Sequence, residues 1–454
     1  MRLWFACTLI VLPVSVVSGQ EPVAVPARLT LEEAVALARR HNPTHLQIVN
    51  DADVAAAEVR QNYGSFVPTL DVSTVTGTQW SRRLSTFGDF GEPLERPQPV
   101  DLETSNASYS ISTGMTLFDG GRMFANLAAA RSGERVAESE IANDANVMRA
   151  QVSRAYFAAL RADSLVRLEE QLLASAEEQV RITEEQFRIA AAQQTDVLGA
   201  RSDVAAKRRS LGSAQAEARK ARLDLLEQMG IRGELSFELA SPLPEITDPS
   251  SLDLDALVAQ ALASSPAVLA AAARLRQAEK QASASHGSRW PTVAVSGSYS
   301  RGSSESGLFD AWGRFDHDNQ FASLNLNVSL PLFTGFQTSA TIAQAEAAAD
   351  DARQAERRQR ILTEKEVRSA IIDLRNAHES LLLAEEQAEL SELRVELAQE
   401  QYRAGVSTMN FTNLQQIIQL NEQAQRQALE ARFTFQNALI LLEEKLGGTV
   451  TPSS

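Results

Sequence analysis

Two histidines carry the first spacing with chemical meaning. His41 and His45 stand four residues apart, which on one helix face would turn two imidazoles toward a common metal. Pro43 lies between them and breaks such a helix, so no metal site is expected. The sequence has no phosphate-cradling loop, no Gly-x-Ser-x-Gly elbow and no His-Glu-x-x-His pair, so the common phosphoryl, acyl and zinc chemistries lack their residues. The single cysteine, Cys7, allows no intrachain disulfide. Neither an enzyme nor a cofactor is expected.

Charge narrows the partners. The 43 basic and 58 acidic residues leave a net charge of −15, which opposes the positive surface that nucleic acid binding needs. Short basic runs, Lys207-Arg208-Arg209 and Arg357-Arg358, sit in helical stretches rich in Gln and Glu and read as solvated helix faces. At the N-terminus, Arg2 precedes an apolar run from Leu3 to Val17 and the small residues Ser18 and Gly19. Residues 1–19 therefore read as a secretory signal peptide, too short to span a bilayer. Cys7 lies near the start of that run, not at its end, so no lipid anchor is expected. No later stretch offers the 18 consecutive apolar residues of a spanning helix.

The chain is built twice. Leu29-Thr30-Leu31-Glu32 through Asn42-Pro43 is echoed by Leu252-Asp253-Leu254-Asp255 through Ser265-Pro266 at an offset of 223, which Pro68 and Pro291 keep. Leu117-Phe118-Asp119-Gly120 matches Leu332-Phe333-Thr334-Gly335 at an offset of 215, kept by Gln186-Phe187-Arg188 and Gln401-Tyr402-Arg403. Ordered echoes of this kind mark a duplicated unit. The first repeat covers residues 29–240 and the second 252–447, joined by a linker at 241–251 and followed by a tail at 448–454.

Each half reads helix, strand, loop, strand, long helix, turn, long helix. Long helices are expected at 121–189 and 195–229, then at 337–404 and 410–446. The first would be roughly 100 Å long at 1.5 Å per residue. Val367, Ile371, Leu374, Ala377, Leu381, Ala384 and Ala388 recur at steps of three and four, the seam of a coiled coil. Ala424, Ala428, Ala431, Phe435, Ala438 and Leu442 repeat the pattern. From the helices alone a coiled-coil scaffold would suffice, which is the alternative function: a periplasmic structural or tethering protein.

Strands are expected at about 66–80, 105–118, 291–301 and 321–332. Ala107, Tyr109, Ile111, Thr113, Met115 and Leu117 alternate with Asn106, Ser108, Ser110, Ser112, Gly114 and Thr116. Leu324, Leu326, Val328 and Leu330 alternate with Ser323, Asn325, Asn327 and Ser329. One apolar and one small polar face over about ten residues suits a barrel with lipid outside and water within. Ser108, Ser110, Ser112, Asn325 and Asn327 would face the lumen. Four strands cannot close a barrel, and an open edge cannot sit in lipid. Two, three or four copies would give 8, 12 or 16 strands, and counting does not choose.

These elements resemble the TolC family of outer-membrane efflux proteins, from Leu29 to about Gly447. The most specific piece is Leu117-Phe118-Asp119-Gly120-Gly121, paired with Pro331-Leu332-Phe333-Thr334-Gly335. In the family these lie where strand passes into helix, with Gly120, Gly121, Pro331 and Gly335 shaping the passage; Pro68 and Pro291 mark helix passing into strand. The resemblance implies a mainly α fold with β: a trimer whose 12-stranded outer-membrane barrel continues into a periplasmic helical coiled-coil barrel. It implies the exit duct of a tripartite efflux or type I secretion system, with a periplasmic adaptor and an inner-membrane pump of the resistance-nodulation-division (RND), ABC or major facilitator (MFS) type as partners. The cargo is not legible. Proline-rich 91–99 and Gly/Ser-rich 302–313 are expected as loops outside the cell.

The family's gate lies where the long helices turn back. Thr195-Asp196-Val197 matches the family's Thr-Asp-Val, which would set a ring of three carboxylates in a trimer. An acid at a helix start is equally the bland choice of the helix dipole. In the second turn Tyr402 and Gly405 match, but Ser407 stands where some members carry arginine, and Asn410 or Asn413 where an acid is usual. The expectation is a gate of Thr195, Asp196, Tyr402, Asn410 and Asn413, held by tyrosine and amide hydrogen bonds. Arg188, Ala190, Arg403 and Gly405 would meet the adaptor.

Overall fold

The computed structural model describes residues 26–87, 92–190, 192–233, 237–240, 246, 248–305, 320–404, 406 and 408–448. The expected signal peptide, Gly405, Ser407 and most of the tail lie outside them. In order the elements are β1 (Arg28–Leu29), α1 (Leu31–His41), α2 (Pro43–Gly64), β2 (Thr69–Phe87), β3 (Pro93–Phe118), α3 (Arg122–Arg188) and α4 (Gln194–Met229). The second half follows with β4 (Glu238–Leu239), α5 (Leu254–Ser264), α6 (Pro266–His286), β5 (Thr292–Glu305), β6 (Gln320–Ser329), α7 (Gln337–Arg403) and α8 (Phe411–Leu446). The chain divides into two compact units. One holds residues 1–46, 144–257 and 367–454; the other holds 47–143 and 258–366.

The first unit is helical. Its core joins Leu29, Ala34 and Ala38 to Val152, Tyr156, Leu225, Met229, Phe433 and Ile440. Buried at this level, Leu29 keeps its carbonyl satisfied by the Tyr156 hydroxyl at 3.0 Å, and β1 pairs in parallel with β4. α1 begins on a capping box: the Glu33 N–H donates to Thr30 Oγ1 at 3.3 Å, and the Thr30 N–H to Glu33 Oε2 at 2.9 Å. Pro43 ends it, placing His41 and His45 on different helices. His45 is buried and bonds Asp144 through Nδ1 at 2.7 Å; among the described residues no group of His, Cys, Asp and Glu is disposed to hold a metal.

The expected seams are where the helices meet. Val367, Ile371, Leu374 and Leu381 on α7 and Ala424, Phe435 and Leu442 on α8 are all buried. One reading of a basic run fails here. Lys207 is not solvated: it is buried against Glu422, whose neighbour Arg426 bonds Glu169 at 2.9 Å. The reason is register, since Lys207 falls on the packed side of α4 with Ala200, Val204 and Ala214, and a buried ammonium needs a counter-charge.

The second unit carries a four-stranded antiparallel sheet of order β2-β3-β5-β6. Its strands differ from the expected spans. β3 runs back to Pro93, so residues 93–99, expected in a loop, are strand. The β2–β3 register shifts between Ser85 opposite Gln98 and Phe87 opposite Pro93, and residues 94–97, which include Pro97, pair with nothing among the described residues. Among the described residues, 79–85 and 98–104 pair with each other alone, as a two-stranded ribbon that ends on Phe87 opposite Pro93. β5 includes Gly302 through Glu305, also expected as loop; residues 306–319 lie outside the description. β6 stops at Ser329, ahead of Pro331, whose ring removes the next donor.

Candidate functional site

The sheet sorts its side chains by face, because directly opposed residues in antiparallel strands share one side. One row reads Val72, Ile111, Tyr299 and Ala322; the row two residues on reads Leu70, Thr113, Gly297 and Leu324. Met115, Val295 and Leu326 continue this apolar face. Val72 is 73% exposed and Leu324 81%, far more than a water-soluble sheet leaves bare. Leu117 is a correction to the alternation. A bulge between Thr116 and Phe118 switches the parity, so Phe118, opposite Val293, joins the apolar face in its place.

The other face is small and polar. Asp71, Ser112, Ser298 and Ser323 form one row; Ser73, Ser110 and Ser300 form the next, which ends on the large side chain of Phe321 on β6. Hydroxyls link across it, Ser73 to Ser110 and Ser298 to Ser323, each at 2.8 Å. Asn325 lies opposite Ser296 and Asn327 opposite Ala294, and Ser108 lies opposite Val75 and Gly302. The structure thus brings Ser108, Ser110, Ser112, Asn325 and Asn327 onto one face.

The passages between strand and helix are shaped by backbone demands. Gly120 and Gly121 have φ of +74° and +85°, open mainly to glycine, and the Asp119 carboxylate then accepts the Met123 N–H at 2.9 Å at the start of α3. A Cβ on Gly120 would lie 2.4 Å from the Gly287 carbonyl and 2.7 Å from Trp290 Cβ. In the second half Gly335 has φ +60° and Phe336 φ +69°. Phe336 therefore takes a left-handed conformation where the first half has Gly121, a strain of about 1–2 kcal/mol. Alternation gave no sign of this, although the repeat offset aligns the two residues.

The helical turns belong to the first unit. α3 ends at exposed Arg188, and Ala190 supplies the left-handed cap with φ +59°. Gln193 precedes α4 and donates its N–H to Asp196 Oδ2 at 2.9 Å. The Asp196 carboxylate thus holds the first turn of its own helix, while Thr195 stays exposed. α7 ends at exposed Arg403. Asn410 caps α8 by accepting the Asn413 N–H at 2.8 Å, and the Asn413 amide donates to the Thr408 carbonyl at 3.2 Å. Both amides thus bind their own turn.

Tyr402 is the junction. It is buried with Ile182, Ala398 and Leu414. Burial pushes its phenol above the ordinary tyrosine value; the nearby Thr183 hydroxyl opposes this, and the negative charge of Asp196 adds to it. The hydroxyl reaches no partner in hydrogen-bond geometry among the described residues. Within one chain the Asn410 and Asn413 amides therefore do not join the two turns; apolar packing around Tyr402 does. Part of that packing is Gly199, whose added Cβ would meet the Phe411 ring at 3.1 Å. No motif flagged Gly199; its spacing from Phe411 shows only in three dimensions.

The outer membrane efflux protein family matches residues 34–230 and 257–448, so its two segments follow the two halves. The outer membrane efflux protein BepC of Brucella suis is 25% identical over 265 residues, 58% of this chain and 55% of that protein; the match spans about half of BepC. A membrane protein from Pseudomonas aeruginosa has the same fold, with TM-score 0.73 and 21% identity over 92% of this chain and 93% of that one. The open-state MtrE outer membrane channel of Neisseria gonorrhoeae matches with TM-score 0.71 and 18% identity over 96% of each chain.

Proposed function

Given that the chain belongs to the outer membrane efflux protein family, we propose that three copies form the exit duct of a tripartite efflux or type I secretion system. As a member of that family the chain is an outer-membrane channel protein extending into the periplasm, not an enzyme. The observation that carries the finer reading is the sheet: four strands, a bare apolar face, a mainly small polar face, and two edges without partners among the described residues. Such a sheet is stable in lipid only when other copies close it, and three copies give 12 strands. The polar face then lines a water-filled lumen, and cargo passes without chemistry. Energy comes from an inner-membrane RND, ABC or MFS pump, joined by a periplasmic adaptor that meets Arg188, Ala190, Arg403 and Gly405. The protein should fractionate with outer membrane and run as a trimer that heat dissociates; a soluble, monomeric mature protein would instead mean a periplasmic tether.

The gate is Thr195, Asp196, Tyr402, Asn410 and Asn413, with Asp196 its principal charge. Three carboxylates around one aperture attract cations. Asp196→Ala should therefore lower cation selectivity and weaken divalent block in planar bilayers. Unchanged selectivity and block would remove Asp196 from the aperture.

A further inference from the structure

We propose that β6 of one copy pairs with β2 of the next in the register that β3 and β5 already share within a copy. The proposal deepens the trimeric reading above and rests on it. Because the chain is a duplicated unit, the junction between its halves is a specimen of the junction between copies. Two offsets relate the halves, and both are set outside the paired strands. Pro68 and Pro291, just ahead of β2 and β5, differ by 223; α3 and α7, just after β3 and β6, differ by 215.

The junction within the chain is the β3–β5 ladder, from Ser105 opposite Glu305 to Thr116 opposite Ala294. Moving β3 forward by 215 yields β6, and moving β5 back by 223 yields β2. Ser110 opposite Ser300 becomes Asn325 opposite Gly77. Ile111 opposite Tyr299 becomes Leu326 opposite Thr76, and Met115 opposite Val295 becomes Leu330 opposite Val72.

The faces supply an independent check. Within the chain Leu326 lies in the apolar row of Met115 and Val295, and Thr76 alternates along β2 with the same parity as Leu70 and Val72. Asn325 and Gly77 lie on the opposite, polar side. The transferred register therefore joins apolar face to apolar face, which a slip of one residue would reverse.

The passage turns give the same answer. Gly120 is seated on Gly287 and Trp290 within the chain. The same offsets seat Gly335 of one copy on Gly64 and Val67 of the next. Among the described residues nothing lies within 4 Å of a Cβ built on Gly64 or Gly335, and Val67 and Phe336 are exposed. The receiving surface is open where a second copy of this chain would cover it.

Cysteine pairs on the polar face test this, since the sequence has only Cys7. In outer membranes from cells making full-length protein with Cys7→Ser, Gly77→Cys combined with Asn325→Cys should give reducible covalent dimers and trimers under copper–phenanthroline. Asn325→Cys combined with Val75→Cys or with Gln79→Cys, each shifted by two residues, should link at least tenfold more slowly, because diagonal neighbours stand farther apart. Faster linking by either shifted pair, or no linking by any pair in assembled trimers, overturns the register. A protein already monomeric before oxidation defeats the trimeric reading itself, and a heat-treated control gel separates that result from a wrong register.

Discussion

Gly120→Val should abolish the heat-dissociable trimer, with the protein recovered as unassembled chain. Two costs add at this position. At φ +74° an L-residue is strained by about 1–2 kcal/mol, more when β-branched. The new Cβ would also lie 2.4 Å from a backbone carbonyl, that of Gly287, which cannot swing aside as the end of a side chain can. Together they exceed the ~4 kcal/mol that marks exceptional single substitutions. Gly121→Ala separates the terms. Its φ is +85° but nothing lies within 4 Å of its Cβ, so it should cost only about 1–2 kcal/mol and still assemble. Trimer yield on unheated gels decides, and equal yields for the two variants would refute the close-approach argument.

The second large effect is on the sheet. Leu326→Arg places a guanidinium on the bare apolar face, where Leu326 is 66% exposed. An arginine near the bilayer midplane costs about 2–4 kcal/mol per copy, and three copies pay together. Asn325→Arg, one residue away on the other face, meets water in the lumen. It should leave assembly intact and shift the channel toward anions. Urea unfolding in lipid vesicles measures the first effect and planar-bilayer selectivity the second. A sheet buried on both faces inside a soluble protein would be damaged by both substitutions, so equal damage would sink the barrel.

The parts of the fold governed by repetition were legible in the sequence. Helix packing follows apolar spacing, and Val367, Ile371, Leu374 and Leu381 are buried where the seam places them. Face alternation likewise located Ser110, Ser112 and Asn325 together. What escaped reading depends on single events that break a period. One bulge moved Leu117 off the apolar face, and an irregularity between Ser85 and Phe87 lets β3 extend back to Pro93 where a loop was expected. Lys207 looked solvated because a charge run shows no sign of the Glu422 that awaits it 215 residues later. At the turns, residue types suggested a gate held by tyrosine and amide hydrogen bonds, and within one chain the amides of Asn410 and Asn413 are already engaged. They serve their own helix start, because an unpaired first-turn N–H is the nearest donor and its satisfaction is local.

The ribbon formed by residues 79–85 and 98–104 has a consequence for how this protein changes over generations. It lies at the end of the sheet away from the helices' passages, and a two-stranded ribbon adds little to the stability of what it extends. Arg82 and Asp101, paired at 2.7 Å, are both exposed there. Substitutions in this segment leave the barrel's ladder and the periplasmic helices untouched. If this end faces outside the cell, tolerance of mutation falls on residues that an external ligand would meet first. Related strains should differ most here, and epitope tags should be carried here with least harm to transport.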